Sequence, residues 1–95
     1  MAGYLLLNRD WVIDPISAGV SREDILATDP DGVMWSVEVK NCVNITKAHR
    51  QQAMEQAKAR KLPWMLMNKI DGTKFWLIQR AGKPPILWAE RGTLI

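Results

Sequence analysis

The alternation of apolar and polar positions divides the chain into short blocks. Tyr4-Leu5-Leu6-Leu7 fits a short helix or an edge strand equally well over residues 2–10. Trp11-Val12-Ile13 reads as a short strand, stopped by Asp14-Pro15 because proline removes a ladder donor. Residues 14–22, with Pro15, Ser17, Gly19 and Ser21, read as loop. Two further strand-like runs, Glu23 to Thr28 and Val33 to Lys40, flank Asp29-Pro30-Asp31-Gly32. Proline presets φ and glycine accepts positive φ, so these four residues predict a tight turn, and the two runs an antiparallel hairpin.

Beyond the hairpin, residues 41–45 read as loop and Thr46 as the N-cap of a helix over Lys47 to Lys61. Arg60 and Lys61 suit the negative end of the helix dipole, and Leu62-Pro63 ends it. The continuous apolar run Trp64 to Met67 predicts a buried strand. Asp71-Gly72 predicts a turn, with Lys74 to Gln79 as the returning strand. Residues 81–85 read as a connector and Ile86 to Ala89 as a short last strand. Met54, Met65 and Met67 read as core filler, and His49 as a helix-surface residue.

The hairpin turn fixes a register. If Thr28 pairs with Met34, Asp24 stands opposite Glu38, and Met34, Ser36, Glu38 and Lys40 share its face. Opposite residues have Cβ atoms about 4.5–5.5 Å apart, so two carboxylates there repel unless a cation lies between them. A slip of one residue would separate them. On this reading, removing one carboxylate relieves repulsion and raises stability without metal.

Composition sets limits. At 95 residues the chain makes one domain, 1–95, and its five tryptophans supply large buried surface in a small core. The single cysteine, Cys42, excludes an internal disulfide and reads as a loop residue. No apolar run approaches the roughly 18 residues of a membrane span, and the N-terminal residues lack the pattern of a secretory signal, so an intracellular, cytoplasmic protein is expected. Net charge is +3. Acids concentrate before Lys40, whereas Lys47, Arg50, Lys58 and Lys61 follow it, a division suited to a metal site beside a phosphate backbone. A solvated helix face is the plainer explanation of the basic run.

Taken together, an acid opening one strand, Glu38-Val39-Lys40 ending the next, and a helix carrying Gln51-Gln52-Ala53-Met54-Glu55-Gln56-Ala57 resemble the PD-(D/E)XK nuclease superfamily. Glu23-Asp24-Ile25 stands at its P-D-hydrophobic step. Residues 11–27 and 36–41 are similar to the Holliday-junction-resolvase-like branch, which includes small phage and archaeal members. The resemblance covers roughly residues 11–80. It implies an α/β, restriction-endonuclease-like fold: a mixed central sheet with one main flanking helix.

The resemblance also implies roles. Asp24, Glu38 and the Val39 carbonyl would bind Mg²⁺ or Mn²⁺. Lys40 would orient the attacking water and stabilise charge on the phosphate. Gln52 would support the catalytic site, with Gln56 one turn later reaching DNA. Ser17 would lie near the substrate backbone, and Lys47, Arg50, Lys58 and Lys61 would contact DNA. Phosphodiester hydrolysis needs an activated water and neutralised phosphate charge, both within the reach of a carboxylate-held Mg²⁺. DNA is the expected partner, with branched DNA the favoured substrate, along with a homodimer through the last hairpin or Pro85-Ile86-Leu87-Trp88. The resemblance and the small size point to a phage or mobile-element source. Many relatives supply an extra glutamate from an N-terminal helix, and residues 1–10 contain none. Two other readings stand beside the nuclease: a non-catalytic DNA-binding module of the same fold, and a subunit whose exposed tryptophans bind a protein.

Overall fold

The computed structural model describes residues 2–14, 24–41 and 46–90, and for residues 2–4 and Asp24 the backbone alone. Helix α1 spans Ala2–Leu7, so the ambiguous N-terminal run is helical. Strands β1 (Val12–Ile13), β2 (Asp24–Thr28) and β3 (Met34–Asn41) follow. Helix α2 (Lys47–Arg60) then leads to β4 (Trp64–Lys69), β5 (Phe75–Arg80) and β6 (Lys83–Ala89). The six strands form one sheet in the order β1-β2-β3-β4-β5-β6. Only β3 and β4 pair in parallel among them, and α2 is the crossover between these two.

The hairpin has the register its turn dictates: Thr28 pairs with Met34 and Asp24 with Glu38. Asp29 builds that turn. Its Oδ1 accepts from the amides of Asp31 at 3.0 Å and Val33 at 2.9 Å, and its Oδ2 from the Trp35 indole at 2.9 Å. Gly32 takes the positive φ of 87° that the turn requires. Burial works against the charged form of Asp29. The bonds from Trp35, Val33 and Asp31, with the charge of Arg80, outweigh it and hold the carboxyl below its usual range. A lowered folded pKa means the folded state gives up this proton more readily. The resulting stabilisation is complete above the ordinary Asp pKa of about 4 and is lost as pH falls through the lowered value. Asp29→Ala is therefore expected to destabilise the protein by about 1–2 kcal/mol at neutral pH. In urea titrations that difference should shrink steadily in acid. A difference that holds constant down to pH ~2 would contradict this account.

The sheet's two faces are built differently. Trp35, Val37 and Val39 of β3 join Ile25, Ala27, Met65, Met67, Trp76 and Ile78 on one face, closed by Leu5 and Leu6 of α1 and by Trp11. Pleating sends Ser36, Glu38 and Lys40 to the other face, over which α2 lies. Helix α2 buries only Ala53 and Ala57, so small side chains let a polar helix approach the sheet closely.

Two expectations change. The stretch 81–85 is not a connector: Gly82, at φ 72°, turns the chain directly into β6, which begins at Lys83. Pro84 and Pro85 are accommodated because β6 is an edge strand, next to a register shift between Ile78 and Arg80. Met54 is not core filler. It lies 48% exposed on the outer surface of α2, while Met65 and Met67 are fully buried. The tryptophans supply core surface as expected, and none is left exposed for a protein partner: Trp11, Trp35 and Trp76 are buried, and Trp64 and Trp88 are half-buried. Edge-on packing of Trp11 against Trp88, with ring centroids 6.2 Å apart, shows how a core of this size takes them in.

Candidate active site

The polar strip on the α2 side of the sheet begins with β3. Its alternation of Ser36, Glu38 and Lys40 with Trp35, Val37 and Val39 places three polar side chains on one face of a central strand. Glu38 is only 4% exposed. A buried carboxylate costs several kcal/mol unless it is paired. Here the Lys40 ammonium lies 3.4 Å from Glu38 Oε1. The pair is self-compensated, which limits the stability gain expected from removing Glu38. The backbone of Asp24 is the direct cross-strand partner of Glu38, and its side chain lies outside the described part of the molecule.

Two further polar residues complete the strip. Ser36 is 3% exposed, its hydroxyl accepts from Arg60 Nη1 at 3.0 Å, and its amide donates to the Pro63 carbonyl at 2.9 Å. Asn68, 1% exposed, is the register partner of Lys40 on β4. The sequence places Arg60 only at the negative end of the helix dipole and gives Asn68 no role, so neither is legible there as part of this strip. The available signal was a polar side chain at a face-sharing position inside an otherwise apolar strand, as in Trp64-Met65-Leu66-Met67-Asn68.

Helix α2 starts at Thr46, whose hydroxyl accepts from the His49 amide while His49 Nδ1 accepts from the Thr46 amide, each at 3.2 Å. His49 is thus part of a capping box, a more specific place than the helix surface. Gln56 is half-buried on the sheet-facing side, and Gln52 is exposed. Lys47, Arg50 and Lys58 come together on one outward-facing stripe of α2 that also includes Gln51, Met54 and Glu55. At 3.6 residues per turn Gln56 lies roughly half a turn around the helix from Lys47 and Lys58, so Gln56 and these cations occupy different flanks. Lys61 is the left-handed C-cap at the far end of α2, with φ 59°. Ser17 lies outside the described residues.

Among the described residues, no group of three His, Cys, Asp or Glu side chains is placed to hold a metal. Register brings the Glu38 carboxylate and the β3 backbone to one point, opposite the backbone of Asp24. That is an all-oxygen set of the kind hard divalent cations take. Among the described residues, no helix is long and apolar enough to cross a membrane.

No protein-family model and no curated protein matches the chain. A solved structure does: Hjc, a Holliday junction resolvase from the archaeal hyperthermophile Archaeoglobus fulgidus. It aligns over 90% of this chain and 78% of its own at 16% identity, with a TM-score of 0.52. Identity this low speaks for the fold. The mixed sheet with its single main crossover helix has the fold of a resolvase-like nuclease.

Proposed function

We propose that the chain is a metal-dependent DNA endonuclease that hydrolyses phosphodiester bonds, with branched DNA as its preferred substrate. The observation carrying this reading is the Glu38–Lys40 pair at 3.4 Å, its carboxylate buried and its ammonium half-buried on a central strand opposite the Asp24 position, in a resolvase-like fold. Asp24, Glu38 and the Val39 carbonyl would hold Mg²⁺ or Mn²⁺. When bound, that ion activates water and neutralises phosphate charge. Lys40 supplies a fixed positive charge where negative charge develops on the phosphate, and its bond to Glu38 keeps the ammonium in place. Burial under α2 lowers the local dielectric, which strengthens that electrostatic effect. Gln52 or Gln56 would support the site from the helix, and Ser17 would lie near the substrate backbone.

A non-catalytic DNA-binding module of the same fold is the second reading. What favours it is α1, which contains no acid in its first turn and packs Leu5 and Leu6 into the core on the face away from Glu38. Metal-dependent cleavage separates the two readings. The protein-interaction reading loses its premise, because no tryptophan among the described residues is exposed.

DNA engagement would use Lys47, Arg50 and Lys58 along the outward stripe of α2, with Lys61 at the helix end. Duplex affinity should then fall with salt by about 0.9 log units per phosphate contact per log unit of salt. Neutralising any one of these three helix cations should flatten that slope by about one contact. Fluorescence anisotropy across a salt series measures it, and salt-independent binding would contradict the assignment.

A homodimer would let two sites address two strands. Its surface would be the edge hairpin, where Leu87 is 58% exposed beside the exposed Pro85. Sedimentation at tens of micromolar should give a dimer, since a weak interface is populated at roughly that concentration. A strict monomer there would remove the proposal.

A further inference from the structure

The bond between Arg60 and Ser36 joins the last turn of α2 to the strand that carries Glu38 and Lys40. Ser36 is a double anchor. Its hydroxyl holds Arg60 at 3.0 Å and its amide holds the Pro63 carbonyl at 2.9 Å, so one buried residue fixes both the end of α2 and the entry to β4. The side chains buried from α2 are Ala53 and Ala57, too small and smooth to interlock with the sheet. An apolar contact of that kind does not define how far the helix has slid along β3. A directional bond from a planar guanidinium does.

The spacing then determines what stands beside Glu38. As the crossover between two parallel strands, α2 runs antiparallel to β3. One step of four residues back from Arg60 rises about 6 Å along the helix. One step of two residues forward from Ser36 advances about 6.6 Å along the strand. The two rows keep pace, so with Arg60 held on Ser36 the next helix position, Gln56, falls level with Glu38, and Gln52 falls level with Lys40 at the open end. The exposures follow that order: Gln56 is half-buried and Gln52 exposed.

We infer that Arg60 is a positioning residue: through Ser36 it registers α2 on β3 and so sets Gln56, not Gln52, beside Glu38. The catalytic consequence rests on the nuclease reading, whereas the registration itself does not.

The test combines kinetics with a proximity measurement. Arg60→Met keeps the side-chain stem and removes the guanidinium, and Ser36→Ala removes the acceptor. Each should lower kcat on DNA roughly ten- to hundredfold, the range that small misplacements cost, with little change in KM. Once Gln56 is alanine, adding Arg60→Met should lower kcat no further, because Arg60 acts through Gln56. A general loss of stability would instead multiply the two defects, and multiplied defects would overturn the inference. Independently of cleavage, Gln56→Cys with Glu38→Cys, in a Cys42→Ser background, should cross-link efficiently with a short bismaleimide. Arg60→Met should reduce that yield severalfold, and a Gln52→Cys partner should give less than Gln56→Cys. If the wild-type protein cleaves nothing but the cross-link pattern holds, the nuclease reading fails and the registration stands. If Gln52→Cys cross-links as well as Gln56→Cys, or Arg60→Met leaves the yield unchanged, the registration is wrong.

Discussion

Replacing Glu38 with glutamine is expected to lower the rate of DNA cleavage by at least about a thousandfold, roughly 4 kcal/mol of transition-state stabilisation. The substitution is nearly isosteric, so packing beneath α2 survives. What is lost is the negative charge of a residue only 4% exposed, and with it both the anchor for a divalent cation and the partner that holds the Lys40 ammonium at 3.4 Å. Lys40→Ala should be comparably inactive while leaving metal binding nearly intact, because an ammonium stabilises developing charge without ligating the ion. Stability should separate the two carboxylates. Glu38 already has a cation beside it, so Glu38→Gln should gain little or lose some stability without metal. Asp24→Asn is the substitution expected to raise the melting temperature. Single-turnover cleavage with Mn²⁺ titration by calorimetry distinguishes these outcomes. A Glu38→Gln protein that cleaves within tenfold of wild type would sink the assignment.

The second large effect is on the fold. Ile78 is fully buried on β5, between Met67 on β4 and Ile86 on β6, at the centre of the face closed by α1. Ile78→Ala should cost about 2–5 kcal/mol, because the stiff sheet cannot collapse into the space left. For a domain of this size that lowers the melting temperature by roughly 10–25 °C. Ile78 faces away from Glu38, so below its melting point the variant should cleave at the wild-type rate. A loss of activity in the still-folded variant would mean that the two faces are coupled more tightly than the separation of core and polar strip implies.

Much of the fold was legible because local chemistry and tertiary pairing agree. The Asp29-Pro30-Asp31-Gly32 turn admits one tight geometry, and that geometry sets the register that brings Asp24 opposite Glu38. Thr46 caps the start of α2 and Lys61, just before Leu62-Pro63, closes its end, for equally local reasons. The misreadings were all decided non-locally. Pro84 and Pro85 look like connector in sequence, but their strand is the edge of the sheet formed by the described residues. Met54 looks like core until the helix rotation is fixed by Ala53 and Ala57, the residues that pack against the sheet. The tryptophans are buried as their number predicts, by packing on one another, as Trp11 does on Trp35 and Trp88. In the candidate site, Glu38 and Lys40 could be read from strand alternation. The Arg60–Ser36 bond could not, since it depends on where the helix sits along the strand.

The most direct measurement is incubation of the protein with a four-way junction, a matched duplex and a single strand, each with Mg²⁺, Mn²⁺ or EDTA. The account predicts cleavage with either metal, fastest on the junction, none in EDTA, and none by Glu38→Gln under any condition. Salt-sensitive binding to all three DNAs without cleavage of any would contradict it and leave a DNA-binding module on a nuclease fold.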